Sequence, residues 1–579
     1  VKRSAINRAL IALTLMGLAG VEAHAASRSL AGSYLSARSA TQRNDLAAAS
    51  EFWTQTLALS PSDDRLREQA LNFKVMAGDL TIAATLAEVL WRKDPEHRLA
   101  NLTLVTDAFA SASFDAALDR IETSAPGAFP PLLSALLSGW AQTGRGDSAA
   151  AEAAFSVGSG DGNAMYDLFG GYHRGLSLMT FGKFEEAALV FAQTANGAGA
   201  SGARLIRAHG LALEAAGRPE EAKALWRDAL SGGRGDLLLE TELARIEAGE
   251  PGVIPIRSAR SGAAEAMFSI AGALSQERGG PAALLYTQLA LSLRPELHEA
   301  RLLLGELLSA QSQFAMAAEA FSAIPRTSAF HLSAEIGRAD ALRRLERESE
   351  AIIALQSLSE TQPEALQPHI ALGDLLRREE RFAEAATAYT RAVDLIGPPE
   401  ARHWALFYER GIALERSGEW DRAEADFLKA LELQPEQPLA LNYLGYSWVE
   451  QHRNLDEALS MIKRAVAQRP EDGYITDSLG WVLYRMGKHE EAVPQLERAV
   501  ELTPVDPTIN DHLGDALWMV GRKREAEFQW SRALSFDPAE ADAERIRRKL
   551  DRGLDAVLRT EAEAKSTAAA TAAPTANGG

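Results

Sequence analysis

Few residues in this 579-residue chain are of types and spacings that could do chemistry. The tightest grouping of metal-ligating types is Asp511-His512 with Asp515. On a helix the two carboxylates share one face and the imidazole sits about 100° around from them. Such a set holds a metal weakly, and solvated groove side chains are the reading taken here. Gly197-Ala198-Gly199-Ala200-Ser201-Gly202 spells G-x-G-x-x-G. A dinucleotide site needs that pattern between a strand and a helix, where backbone amides and the helix dipole meet the pyrophosphate. Here the preceding stretch, 184–194, itself reads as a helix, so the glycines are expected to form a turn between helices. The 11 histidines are scattered, with no two at i, i+4. There is no P-loop, no G-x-S-x-G and no H-E-x-x-H. With no cysteine, thiolate and Cys-zinc chemistry are excluded. Paired acids are so common that they carry no information on glycosidase-type chemistry. The expectation is a protein without catalytic residues, metal or cofactor.

The formal charge of −19 and the lack of any basic run argue against a nucleic-acid partner. Ala, Leu, Glu and Arg dominate and aromatics are 7%, a composition that favours helix over strand. The first 25 residues have the pattern of a secretory signal. Lys2, Arg3 and Arg8 precede an apolar run over 9–21, then Ala23-His24-Ala25. Cleavage after Ala25 is expected, and Val1 is read as a GTG start. The mature protein is then expected in the periplasm, or secreted beyond it.

The elements that position these residues recur at a fixed period. Leu479-Gly480 is matched by Leu513-Gly514, Ala492 by Ala526, Ala499 by Ala533 and Pro504 by Pro538, each 34 residues apart. Gly445, Gly411, Gly373, Ala339, Gly305 and Ala271 carry the series backwards. Gly480, Ala492, Ala499 and Pro504 fall on positions 8, 20, 27 and 32 of the tetratricopeptide repeat (TPR) pattern, as Gly411, Ala423, Ala430 and Pro435 do one stretch earlier. The chain thus resembles the TPR family. The resemblance implies an all-α, right-handed superhelical solenoid of antiparallel helix pairs. Small residues at 8, 20 and 27 let the two helices approach, glycine ends the first helix and proline ends the second.

The expected layout is a degenerate array over 30–236, an irregular joint over 237–263 and an in-phase array of eight repeats over 264–540, with one decayed repeat in an unbroken solenoid as the alternative for the joint. A charged amphipathic capping helix over 541–558 and a disordered tail over 559–579 follow. In total about fourteen repeats are expected. In the family, fixed positions of each first helix line the concave surface. Carried over, they give Asn442, Tyr446, Tyr474, Asp477, Trp481, Tyr484, Arg485, Asp511, Asp515 and Trp518 as a C-terminal partner-binding groove. Arg343, Arg344, Arg377 and Arg378 form a secondary basic patch upstream. Packing against the neighbouring repeat is the alternative for Trp481 and Trp518. A carboxylate clamp is not expected, because Asp477, Asp511 and Asp515 would repel a peptide C-terminus. The stretch 442–530 resembles bacterial envelope TPR scaffolds and adaptors. That implies a protein or peptide partner, in processes such as proteolysis or cell-wall assembly. An accessory subunit of polysaccharide export or synthesis is the alternative. With no lipid-attachment cysteine, any outer-membrane association is expected to be indirect.

Overall fold

A computed structural model describes residues 29–124, 129–158, 163–197, 202–231, 236–276 and 280–572. The signal-like segment over 1–25 and most of the 197–202 glycine motif lie outside them. Within the described residues every regular element is a helix, and none is long and apolar enough to cross a membrane.

Local sequence sets the ends of these helices. Asp472 caps Gly473–Arg485 by accepting hydrogen bonds from the Tyr474 and Ile475 amides, and Asp506 caps Pro507–Met519 through the Ile509 amide. The turn into the second helix passes through one left-handed residue. Gly418, Gly487 and Gly521 supply it at φ of 86°, 76° and 82°. Ser312, Glu346 and Glu380 occupy the equivalent turns at φ of 61°, 57° and 56° without being glycine.

Packing within each pair follows from the small residue on the first helix. A Cβ placed on Gly411 would stand 2.7 Å from the Phe427 ring, and one on Gly373 would stand 2.6 Å from the Tyr389 ring. Gly139, Gly175, Gly210, Gly305 and Gly514 stand likewise against Phe155, Phe191, Trp226, Phe321 and Trp530. In all of these the bulky ring comes sixteen residues after the glycine. A glycine on one helix therefore receives one large side chain from the next, the interdigitation that a dense interior requires. At Gly445 the partner is Ile462, one position later. The turn there holds two left-handed residues, His452 and Asn454, which absorb the insertion.

The chain divides into two compact units, residues 1–358 and 359–579. The first begins with the pairs Leu30–Gln42/Leu46–Leu59, Asp64–Met76/Leu80–Lys93 and Arg98–Ala110/Phe114–Thr123. Pro131–Arg145/Ser148–Phe155, Ala164–Thr180/Phe184–Gly197 and Ala203–Ala215/Pro219–Ser231 continue it. Leu237–Glu247 has no such partner. Next come Ala259–Gln276/Gly280–Leu293, then His298–Ala310/Phe314–Ser322, and the unit closes within Glu348–Thr361, the partner of His331–Arg344.

The 237–263 segment, read as a joint or as one decayed repeat, lies inside the first unit and not at the boundary between the units. The pair Ala259–Gln276/Gly280–Leu293 packs instead on the first helices of four earlier pairs, Asp64–Met76, Arg98–Ala110, Pro131–Arg145 and Ala164–Thr180. Its residues join theirs in one core. Gln288 donates to the Met76 carbonyl at 3.0 Å, and Tyr172 donates to Glu265 at 2.9 Å. Further on, Asn44 donates to the Gln311 carbonyl at 2.9 Å, and the Leu46 amide donates to Gln313 at 3.1 Å. The cause lies in Ala263, Ala264, Ala266, Met267 and Ala271, which are wholly buried. A helix with small apolar residues on several faces buries against more than its own partner.

The second unit runs through Leu366–Arg378/Phe382–Leu395, Trp404–Arg416/Trp420–Leu433, Pro438–Glu450/Leu455–Gln468, Gly473–Arg485/His489–Leu502 and Pro507–Met519/Lys523–Ser535. Its end differs from expectation. Two helices, Glu540–Arg552 and Leu554–Ala572, replace the single 541–558 cap, broken at Gly553 with φ of 79°. Residues 559–572 of the expected disordered tail continue the second one. Alanine and glutamate at high density favour helix, and Leu554 and Val557 anchor its start in the interior.

Candidate partner groove

The second unit presents a groove of about 470 Å³ along the first helices of successive pairs. Pro438–Glu450 contributes Asn442, Tyr443, Tyr446 and Glu450; Gly473–Arg485 contributes Tyr474 and Asp477; Trp404–Arg416 contributes Glu415 and Arg416. Asp506, Thr508 and Ile509 close the far wall. Tyr474 is 60% exposed. The Asn442 Oδ1 is buried and has no hydrogen-bond donor, an arrangement that leaves its desolvation uncompensated. Burial, followed by the Glu450 and Asp477 carboxylates, raises the Tyr446 pKa far above the ordinary tyrosine value. Its hydroxyl therefore stays a donor. Tyr443 donates to Glu415 at 3.2 Å. Four carboxylates against Arg416 give the groove an acidic character.

Four of the expected groove residues sit behind or beside this opening as its support. Asp477 is buried and accepts from His512 Nδ1 at 3.0 and 3.1 Å. Burial lowers the His512 pKa, but Asp477, then Asp511 and Asp515, outweigh it and the net direction is upward. The His512 ring stacks on Trp481 at 3.8 Å between centroids and 10° between planes, and Tyr484 stacks on Trp481 at 4.7 Å. Trp481 Nε1 donates to Glu450 at 2.6 Å, and Arg485 donates to the same carboxylate at 3.1 Å. Trp481 is 7% exposed. Its neighbours leave it little surface to offer a partner.

Asp511, Asp515 and Trp518 are engaged by the chain's own C-terminus. Lys549, with no exposed side-chain surface, sets its ammonium 2.7 Å from Asp511 and 2.6 Å from Asp515. Trp530 Nε1 also donates to Asp515 at 3.0 Å. Trp518 Nε1 donates to Asp555 at 3.0 Å, and Gly553 lies against its ring. The expected groove is therefore one open half and one half filled by Glu540–Arg552 and Leu554–Ala572. Among the described residues no group of three or more His, Cys, Asp or Glu side chains is placed to hold a metal.

The four arginines of the expected basic patch divide between the two units. Arg343 is paired with Asp340 at 2.7 Å and Arg344 lies over Phe314. In the other unit Arg377 faces Glu409 at 3.0 Å and Arg378 is exposed. Sequence reasoning missed Tyr443, Glu415 and Lys549. Tyr443 adjoins Asn442 on the same helix. Lys549 follows Ile546 by three residues, which placed it on the buried face of the terminal helix.

Three segments, 336–401, 408–473 and 478–543, match the tetratricopeptide repeat family model. A TPR repeat-containing protein of Pseudomonas aeruginosa is 27% identical over 186 residues, which is 32% of this chain and 31% of that protein. The match thus spans under a third of the relative's length. Among solved structures, MamA from Desulfovibrio magneticus RS-1 has 20% identity and a TM-score of 0.27, over 30% of this chain and 94% of that one. The Cut9–Hcn1 hetero-tetramer of the APC/C has 14% identity and a TM-score of 0.36, over 91% of this chain and 96% of that one. At such scores nothing about function passes from them. The matched sequence and the glycine-and-ring packing with its left-handed turns agree, and residues 336–543 are built of tetratricopeptide repeats.

Proposed function

We propose that the chain is a non-catalytic scaffold of the bacterial envelope that holds an extended peptide segment of a partner protein in the groove of its second unit. TPR repeats imply a protein-binding role. One observation carries the placement: an open groove walled by Asn442, Tyr443, Tyr446 and the exposed Tyr474. Tyr443, Tyr446 and Tyr474 supply contact area to an extended segment at low entropic cost. Glu415 and Asp506, which have no cationic partner among the described residues, favour a segment carrying lysine or arginine and disfavour a free C-terminal carboxylate. The envelope location rests on the charge and apolar pattern of residues 1–25, and the adaptor role in proteolysis or cell-wall assembly on the resemblance over 442–530.

The test is a peptide array probed with the purified chain, beside Asn442→Leu and Tyr474→Ala variants whose folding is checked by circular dichroism. Basic extended peptides are expected to bind, and each substitution to weaken them roughly tenfold. Equal binding by both folded variants would place the partner elsewhere.

A further inference from the structure

The irregular segment before Ala259–Gln276 forms the wall of a second pocket, of about 590 Å³, entirely within the first unit. Four arginines line it, Arg207, Arg257, Arg260 and Arg294, against one carboxylate, Glu296. In a chain of net charge −19 this is a local reversal of sign. The four charges are not equally answered. Arg207 is paired with the buried Glu242 at 2.7 Å, and Arg294 faces Glu296 at 3.6 Å. Arg260 spends its donors on backbone carbonyls, at 2.8 Å to Leu293 and 3.4 Å to Ala110. Arg257 is exposed and has no carboxylate partner among the described residues. The 18-residue helix Ala259–Gln276 begins at the same pocket with no acidic residue in its first turn. Its dipole therefore adds to the positive potential there.

We propose that this pocket binds a small phosphate-bearing anion. Its volume suits a small ligand. Guanidinium groups match the planar pairs of oxygens on phosphate, and the concave wall concentrates their field. The ligand stands in for the carboxylate that Arg257 lacks, and the N–H groups that Arg260 does not give to backbone carbonyls join it. The pocket lies in the first unit and the peptide groove in the second, so either assignment can fail without the other.

Isothermal titration calorimetry on the full chain tests it, with inorganic phosphate, pyrophosphate and glycerol phosphate as probes at low ionic strength. Saturable binding at one site per chain is expected. Stronger binding of inorganic phosphate or pyrophosphate would identify a free anion as ligand, and stronger binding of glycerol phosphate a phosphomonoester. Arg257→Ala removes an exposed side chain with no hydrogen bond or ion pair among the described residues and is expected to weaken binding roughly tenfold. Arg257→Glu is expected to abolish it. The double variant Arg343→Ala, Arg344→Ala controls for general loss of positive charge and is expected to bind as the unaltered chain does. Absence of saturable binding by all three probes would overturn the proposal, as would equal affinity in a folded Arg257→Glu variant.

Discussion

His512 is a single residue on which a repeat-to-repeat contact turns. It reaches back one repeat to Asp477 and lies flat on Trp481. Its folded pKa stands above the ordinary value of 6.5, so the charged form stabilises the fold. That contribution is complete below the unfolded value and is lost as pH rises through the raised folded one. The difference in melting temperature between the unaltered chain and His512→Gln is expected to be large below the ordinary histidine value of 6.5 and to shrink as pH rises through the raised folded one. A difference independent of pH would mean that the imidazole acts by packing alone. His173 in the first unit shows the opposite environment. Burial holds its pKa down to about 4, and it stays neutral, accepting from Trp140 Nε1 and facing Ser269. Two histidines in the same repeat architecture thus differ because one meets a carboxylate and the other an indole and a hydroxyl.

At the scale of the element, the helix pair and its turn are the unit that repeats. A left-handed residue joins the two helices whether or not the sequence places glycine there. Where it does not, backbone strain is retained: Glu380 sits at φ of 56° with an exposed side chain. A non-glycine residue in this region costs about 1–2 kcal/mol, and glycine carries about 0.5–1 kcal/mol of extra unfolded-state entropy. Glu380→Gly is therefore expected to stabilise the second unit by about 0.5–1 kcal/mol, read as a shift in denaturant midpoint at unchanged slope. A loss of stability would mean that the turn is held by the Glu380 side chain rather than tolerated. The same element logic was legible in sequence, since glycine, alanine and proline at fixed spacing stand for close approach and termination. The terminal pair was less so. Its burial depends on Lys549, a residue that polarity assigns to the surface and that ion pairing to Asp511 and Asp515 permits inside.

For the whole molecule, the decisive contacts are those that bring late repeats onto early ones within the first unit. Arg204 is the charged junction there, paired with the buried Glu265 and with Glu299, while Tyr172 donates to Glu265 from a different repeat. Arg204→Met strands Glu265 in the interior, which costs about 3–5 kcal/mol. The unfolding transition of the first unit is expected to move to lower denaturant and that of the second to stay in place, as followed by hydrogen exchange. Equal shifts in both would mean that the two units unfold as one.

The sequence by itself determined the helical class, the 34-residue period, the pair as building block and the residues that pack it, because these depend on contacts between residues close in the chain. It also placed Asn442, Tyr446, Tyr474 and Asp477 along one groove, because a fixed repeat puts the same positions on the same face. Tertiary structure decided which of the expected groove residues are open. Trp481 is stacked between His512 and Tyr484, and Trp518 is bonded to Asp555, in contacts that period alone cannot rank against solvent. It also decided that Ala259–Gln276 and its partner lie against the early repeats rather than beginning a separate array. Period specifies a neighbour in sequence; which distant surface covers a residue depends on how small angles between successive pairs accumulate, and on the burial of whatever apolar face remains.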